Sequence, residues 1–145
     1  MLAAALTTLA LGWSLLIVAT PVAASTGRGT WAAAIAYQIG SLVCHQRPDR
    51  SFHLAGVQMA VCARCFGLYA AGAAGLLLAA GGFRDRWPSR ANRLVLAAAA
   101  VPIVATVALE WAGTIHTSNA VRMLSGLPLG VIAGLMFGGM LRPAG

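Results

Sequence analysis

The sequence contains no lysine, only three acidic residues and only three cysteines. Charged residues make up 9% of the chain and hydrophobic residues 59%, whereas soluble domains carry roughly 25% charged residues. This shortage of charge excludes an ordinary soluble domain, because such a domain needs a polar surface that this chain cannot supply. The composition therefore indicates an integral membrane protein.

Several kinds of functional site are also missing. The sequence has no Gly-rich phosphate-binding loop, no Ser/His/Asp arrangement and no pair of neighbouring carboxylates. The net charge of +7 comes from ten arginines, which stand singly or at the ends of apolar runs. Such placement is typical of topology determinants and contacts to anionic lipids, and not of a nucleic-acid interface. We therefore expect a lipid bilayer, and no nucleic acid, as the partner.

Long apolar runs predict the fold. A transmembrane helix needs about 20 apolar residues, and four runs approach that length, at residues 2–24, 65–83, 94–112 and 123–141. Residues 31–43 form a shorter run that is typical of an interfacial or re-entrant helix. The sequence therefore predicts an all-α integral membrane bundle of about four transmembrane helices plus one short helix, in a single domain over residues 1–145.

The arginines also predict an orientation. Residues 84–93 place four arginines between the second and third spans, and the positive-inside rule assigns such a short loop to the cytoplasm. Residues 1–24 lack the positively charged start of a signal peptide, so we expect them to be retained as a span. In the cytoplasmic (inner) membrane both termini are then cytoplasmic. The motif loop at 44–64 and the turn at 110–122 should meet at the external face.

Reactive side chains are concentrated in residues 44–69. This stretch holds all three cysteines, Cys44, Cys62 and Cys65, and two of the three histidines. The C-x-x-C spacing brings two sulfurs to one side of a helix or turn, as metal chelation requires. With Cys44 and one histidine it gives a Cys₃His set, which suits a closed tetrahedral zinc site. We expect zinc, with iron or copper as the other metals that these ligands accept.

The histidine of this set is less well defined than the cysteines. His45 is the first candidate, but neighbouring side chains such as Cys44 and His45 diverge in regular structure. Both can hold one ion only if the backbone turns sharply between them. His53 and His116 are therefore alternative ligands, and a loop histidine that merely bonds a carbonyl is the structural alternative.

Two other functions fit the same sequence. A C-x-x-C at the mouth of a helical bundle would also serve a membrane thiol/disulfide oxidoreductase that uses a quinone, although the unpaired third cysteine argues against it. A disulfide between two of the cysteines is the structural alternative. Glycines recur every fourth residue from Gly126 to Gly138. They favour packing inside the bundle, but they would also suit a homo-oligomer or an accessory subunit in a larger membrane complex.

A set of polar residues near the span ends has two interpretations. They close the mouth of the bundle as ion pairs, or they form a polar pocket around the metal, because ionisable groups in a membrane are costly and often functional. The set comprises Arg50, Arg64, Glu110, Asn119 and Arg122.

The motifs themselves resemble a known family. The chain reads C-H-x-x-P-x-R-S-F from Cys44 to Phe52, C-x-R-C-x-G-x-Y from Cys62 to Tyr69, and S-N-x-x-R at residues 118–122. This pattern resembles the family called domain of unknown function 2085, small prokaryotic membrane proteins. The resemblance covers most of the chain after the first span, and it implies no established activity.

Overall fold

The computed structural model describes residues 1–27, 30–83 and 92–141. Its short elements are a 3₁₀ helix, Pro48–Arg50, and the two-residue strands β1, His53–Leu54, and β2, Val57–Gln58. The described residues form five α-helices, which are α1, Leu2–Ser25; α2, Thr30–Val43; α3, Ala63–Ala80; α4, Asn92–Trp111; and α5, Asn119–Met140.

Four of these helices, α1, α3, α4 and α5, are long and apolar enough to cross a membrane. Helix α2 has 14 residues, and at about 1.5 Å per residue it falls short of the hydrocarbon core. The structure thus confirms the all-α membrane fold with one additional short helix. The part of the predicted cytoplasmic loop at residues 84–91 lies outside the described residues.

The two helices that start at the bundle mouth begin earlier than the apolar runs predict. Helix α3 begins at Ala63 and α5 at Asn119, because a polar residue at a helix start can direct its side chain to a polar partner at the bundle mouth. The predicted runs began only at the first uncharged stretch. As a result Arg64 and Arg122 lie in the first turns of spanning helices.

Helices α3 and α5 pack closely along their glycines. A Cβ atom added to Gly67 would lie 2.2 Å from the carbonyl oxygen of Met123, and one added to Gly134 would lie 2.2 Å from that of Gly72. Only a hydrogen fits at such positions, so the backbones touch. The glycine repeat of α5 therefore packs inside the chain. Assembly into a homo-oligomer or larger complex stays a prediction, and it would need another surface.

A β-hairpin connects the motif loop to α3. Strands β1 and β2 pair antiparallel, and the two turn residues Ala55 and Gly56 both have positive φ, 50° and 78°, as a type I′ turn requires. The sequence did not predict this hairpin, because strands of two residues carry no periodicity. Behind it, Ile17 of α1 packs with Cys44, Met59 and Val61 in a buried apolar cluster.

Candidate metal centre

The three cysteines meet at the start of α3. Cys44 directly follows the end of α2, Cys62 is the N-cap of α3, and Cys65 lies in its first turn. Their sulfurs all lie within 4.8 Å of one another. Cys62 Sγ and Cys65 Sγ are 3.3 Å apart, well beyond the roughly 2.05 Å of a disulfide bond, and all three thiols are free.

The separations of these sulfurs suit a tetrahedral metal ion. Two thiolates at about 2.3 Å from a tetrahedral zinc ion lie about 3.8 Å from each other. The Cys62–Cys65 separation of 3.3 Å is somewhat shorter than this value, and no two of the three sulfurs are more than 4.8 Å apart. In the described part of the chain, no other group of His, Cys, Asp and Glu side chains gathers ligand atoms in this way.

Two glutamines hold the cysteine-bearing segments together. Gln46, whose positive φ of 48° turns the chain after α2, donates from Nε2 to the carbonyl groups of Tyr37 and Ala60 at 2.7 Å each. Gln58 Nε2 donates to the Gln46 carbonyl at 2.5 Å, and the Tyr37 hydroxyl donates to the Gln58 carbonyl. Residue 46 follows Cys44 by two positions and residue 60 precedes Cys62 by two, so these bonds set the distance between the sulfurs.

These positioning residues were not predicted from the sequence. Gln46 stands at an unspecified position of the first motif, and Tyr37 and Gln58 lie outside the motifs. A signal does exist, because uncharged amides are scarce in this sequence and two of its three glutamines fall in the motif stretch. Their partners, however, are backbone carbonyls, which a sequence pattern does not reveal.

Hydrogen bonds around Cys44 stabilise a thiolate there. The pKa of Cys44 is far below its ordinary value because the Cys62 thiol, and then the Cys65 thiol, donate to its sulfur. The backbone N–H of Cys62 adds a bond of 3.1 Å to the same sulfur. The pKa of Cys62 is raised, chiefly because its thiol donates to Cys44. The cluster therefore already favours one thiolate, which is the form that binds metal.

The histidines lie outside the sulfur cluster. His45 is exposed and lines a cavity of about 380 Å³ that the three cysteines also line, but its ring is not among the ligand atoms within 4.8 Å of one another. His53 and His116 are also exposed, and neither is among the residues that line this cavity. Of the three histidines, His45 is therefore placed best to approach the sulfurs.

A buried ion cluster stands beside the thiols. Glu110, with only 7% of its side chain exposed, accepts from Arg64 Nη2 at 3.3 Å and from Arg122 Nε at 2.9 Å. Thr117 donates to the same carboxylate, and Thr106 accepts from Arg64 Nη2 at 3.3 Å. Arg64, between the two cysteines in sequence, thus pairs with Glu110, another member of the predicted polar set, and it also lines the cavity beside the thiols.

The predicted contact between the motif loop at 44–64 and residues 110–122 is confirmed. Asn119 Nδ2 donates to the Ser51 carbonyl at 2.9 Å, and Arg122 Nη1 donates to the Asp49 carbonyl at 3.2 Å. Arg50 lies on the loop side, where its Nε is 3.6 Å from the Asp49 carboxylate. The predicted polar residues therefore form one wall of the cavity and the bundle mouth behind it.

Comparison with known proteins covers this same region. Residues 44–136 match the family described as "Predicted membrane protein (DUF2085)", a range that takes in the thiols, the ion cluster and most of α5. The uncharacterized protein MJ1492 of Methanocaldococcus jannaschii is 52% identical over 42 residues, which are 29% of this chain and 27% of that protein. No solved structure shows significant similarity. Because the family match covers well over half of the chain, the chain belongs to this family of predicted membrane proteins.

Proposed function

We propose that this protein binds a zinc-like metal ion through Cys44, Cys62 and Cys65, with His45 as the fourth ligand. The observation that carries the proposal is the set of three free thiols whose sulfurs lie within 4.8 Å of one another. Zinc fits this ligand set best, and iron and copper also accept thiolates. A bound ion would join the end of α2 to the start of α3. A closed shell of four protein ligands indicates a structural site, since it leaves no position for a substrate.

Elemental analysis of the protein purified in detergent tests this proposal. We expect about one metal ion per chain, because structural sites of this type bind tightly. Cys44→Ser, Cys62→Ser and Cys65→Ser should each reduce the metal content strongly. Ser41→Ala is a matched control, since Ser41 precedes Cys44 by three residues and its hydroxyl bonds the Gln38 carbonyl of the same helix, outside the hydrogen bonds that position the cysteines. Metal-free wild-type protein with three reactive thiols would contradict the proposal.

The histidines offer a second matched comparison. His45, His53 and His116 are all exposed, so alanine at each should be tolerated by the fold. We expect His45→Ala to weaken metal binding at least tenfold, since even the loss of an outer-shell partner costs about 10–100-fold. His53→Ala and His116→Ala should bind like wild type. Equal binding by all three variants would remove His45 from the ligand set.

A thiol/disulfide oxidoreductase is the second candidate function. The 3.3 Å between the sulfurs of Cys62 and Cys65 favours it, because a small movement would let them bond. In such a reaction the two thiols lose two electrons and two protons to form the disulfide, and a quinone takes up both to become the quinol. Tyr69, one turn beyond Cys65, lines an apolar groove of about 700 Å³ that is large enough for a quinone ring.

One variant separates the two functions. Cys44→Ser removes a metal ligand but keeps the Cys62–Cys65 pair. The redox function predicts that this variant still reduces a short-chain quinone and loses the mass of two hydrogen atoms. The metal function predicts that the variant loses its metal and that neither the variant nor the wild-type protein reduces the quinone.

The side of the membrane follows from the arginine-rich segment at residues 84–93. If that segment is cytoplasmic, as the positive-inside rule favours, the thiols lie at the external face of the cytoplasmic membrane. A Thr114→Cys reporter in a chain without its own cysteines tests this, because Thr114 is exposed in the turn before α5. A membrane-impermeant maleimide should label it in intact spheroplasts; labelling only in inverted vesicles would reverse the orientation.

A further inference from the structure

Four arginines share the cavity with the thiols. Arg47, Arg50, Arg64 and Arg122 line it together with the three cysteines and His45. The described residues that line the cavity include no carboxylate. One wall of the cavity is therefore strongly positive.

The carboxylates nearby balance only part of this charge. Asp49 is shared by Arg47 and Arg50, and Glu110 is shared by the other two arginines. Two carboxylates thus face four guanidinium groups. Three thiolates around a divalent metal ion would carry one net negative charge, so a positive excess stays at the cavity even when the metal site is filled.

The hydrogen-bonding capacity of these guanidinium groups is only partly used. The Nε atoms of Arg50 and Arg64 are buried and make no hydrogen bond, although a buried donor without one costs free energy. The Arg50 Nε has the Asp49 carboxylate only at 3.6 Å. The start of α3 adds to this, because its N-cap residue Cys62 makes no side-chain capping bond, so first-turn N–H groups there need acceptors. The cavity therefore lacks acceptor oxygens rather than donors.

We propose that this cavity binds a phosphate-class oxyanion, held chiefly by Arg50 and Arg64. A phosphoryl group offers several acceptor oxygens and full negative charge, and arginine recognises it with paired N–H groups. The arginines keep their charge with or without a metal ion. The inference is therefore independent of the proposed metal function, although the two ligands occupy one cavity.

The size and position of the cavity indicate what carries the phosphoryl group. A volume of about 380 Å³ exceeds that of a bare ion and leaves room for an organic part beside the phosphoryl group. The cavity lies where the spanning helices α3 and α5 begin and α4 ends, and the ends of spanning helices meet the headgroup region of a bilayer. Two sources share this chemistry, a phospholipid headgroup and a soluble phosphate ester.

Calorimetric titration of the protein as purified in uncharged detergent tests the proposal. The probes are glycerol phosphate for the soluble source and a short-chain phosphatidic acid for the lipid source. Arg50→Gln removes a guanidinium group that lines the cavity and whose Nε makes no hydrogen bond, and we expect it to weaken binding about tenfold or more. Arg93→Gln is the control, because it removes the same charge from an exposed site at the opposite end of α4.

Each outcome of this titration decides the proposal. Saturable binding of either probe that Arg50→Gln weakens and Arg93→Gln leaves intact supports it, and the probe that binds identifies the source. Arg64→Gln should lose binding as well, in protein whose helical circular dichroism is unchanged. Absence of binding to both probes, or equal loss in Arg50→Gln and Arg93→Gln, overturns it. Because elemental analysis measures the metal separately, such a failure leaves the metal proposal unaffected.

Discussion

Neutralising Glu110 should destabilise the protein far more than neutralising Asp49. Both carboxylates pair with two arginines, but the Glu110 side chain is 7% exposed and the Asp49 side chain 57% exposed. Glu110→Gln keeps the size of the side chain and removes its charge. It therefore leaves two arginines, 15% and 11% exposed, without their counter-charge at the mouth of the bundle.

The expected loss follows from this burial. Removing one partner of a buried ion pair costs about 3–5 kcal/mol, because the charge left behind stays desolvated. We take the lower end, about 3 kcal/mol, because both arginines keep some contact with solvent and glutamine can still accept one hydrogen bond. Asp49→Asn should cost much less, because water screens the ion pairs of this exposed carboxylate.

Equilibrium unfolding with a denaturing detergent, followed by helical circular dichroism, measures both losses. A double variant that also carries Arg122→Gln should cost less than the sum of its single changes, because Glu110 and Arg122 are direct partners at 2.9 Å and such pairs are not additive. Similar, small losses for Glu110→Gln and Asp49→Asn would refute the view that the Glu110 cluster is buried.

Three further predictions concern packing and the thiols. Gly75→Ala should destabilise the protein by about 1–3 kcal/mol, because the new methyl group would lie 2.3 Å from the Val131 carbonyl oxygen. Gly72→Ala in the same helix meets its nearest atom at 3.7 Å, so it should be neutral or stabilising in the same unfolding assay. Gln46→Ala should weaken zinc binding about 10–100-fold in competition with a chromophoric chelator, and unchanged affinity would show that the hydrogen bonds from Gln46 do not position Cys44. Zinc affinity in that chelator assay should rise between about pH 6 and pH 8, by about tenfold per pH unit for each proton displaced. The reason is that the raised pKa of Cys62 keeps this thiol protonated until metal binds. An affinity that does not change with pH would contradict this.

Most of the fold could be predicted from the apolar runs of the sequence. The four spanning helices and the short α2 follow from uninterrupted apolar runs, because a bilayer demands about 20 such residues. Packing inside the bundle was also predicted from the four-residue spacing of the α5 glycines, but α3 as their partner was not. The hairpin did not follow, because its register depends on two positive-φ residues, Ala55 and Gly56, and not on any repeat.

Of the residues that form the candidate site, the reactive cysteines could be predicted from the sequence, whereas the hydrogen bonds and ion pairs around them could not. Cys44, Cys62 and Cys65 were predictable because they are the only thiols in the chain and a metal site requires several. The bonds of Gln46 to backbone carbonyls were not predictable, since any residue supplies such an acceptor. Glu110, Arg64 and Arg122 were predicted as members of one polar set that could form ion pairs. Which of them pair was not predictable, because the two arginines lie 46 and 12 residues from Glu110 and helix packing brings them to it.

X-ray absorption spectroscopy at the metal edge of the purified protein tests the central claim most directly. For a bound zinc ion we expect three sulfur atoms at about 2.3 Å and one nitrogen at about 2.0 Å, with the sulfur number reduced to two in Cys44→Ser. An absent metal edge, or a shell of oxygen and nitrogen without sulfur, would contradict the assignment of Cys44, Cys62 and Cys65 as ligands.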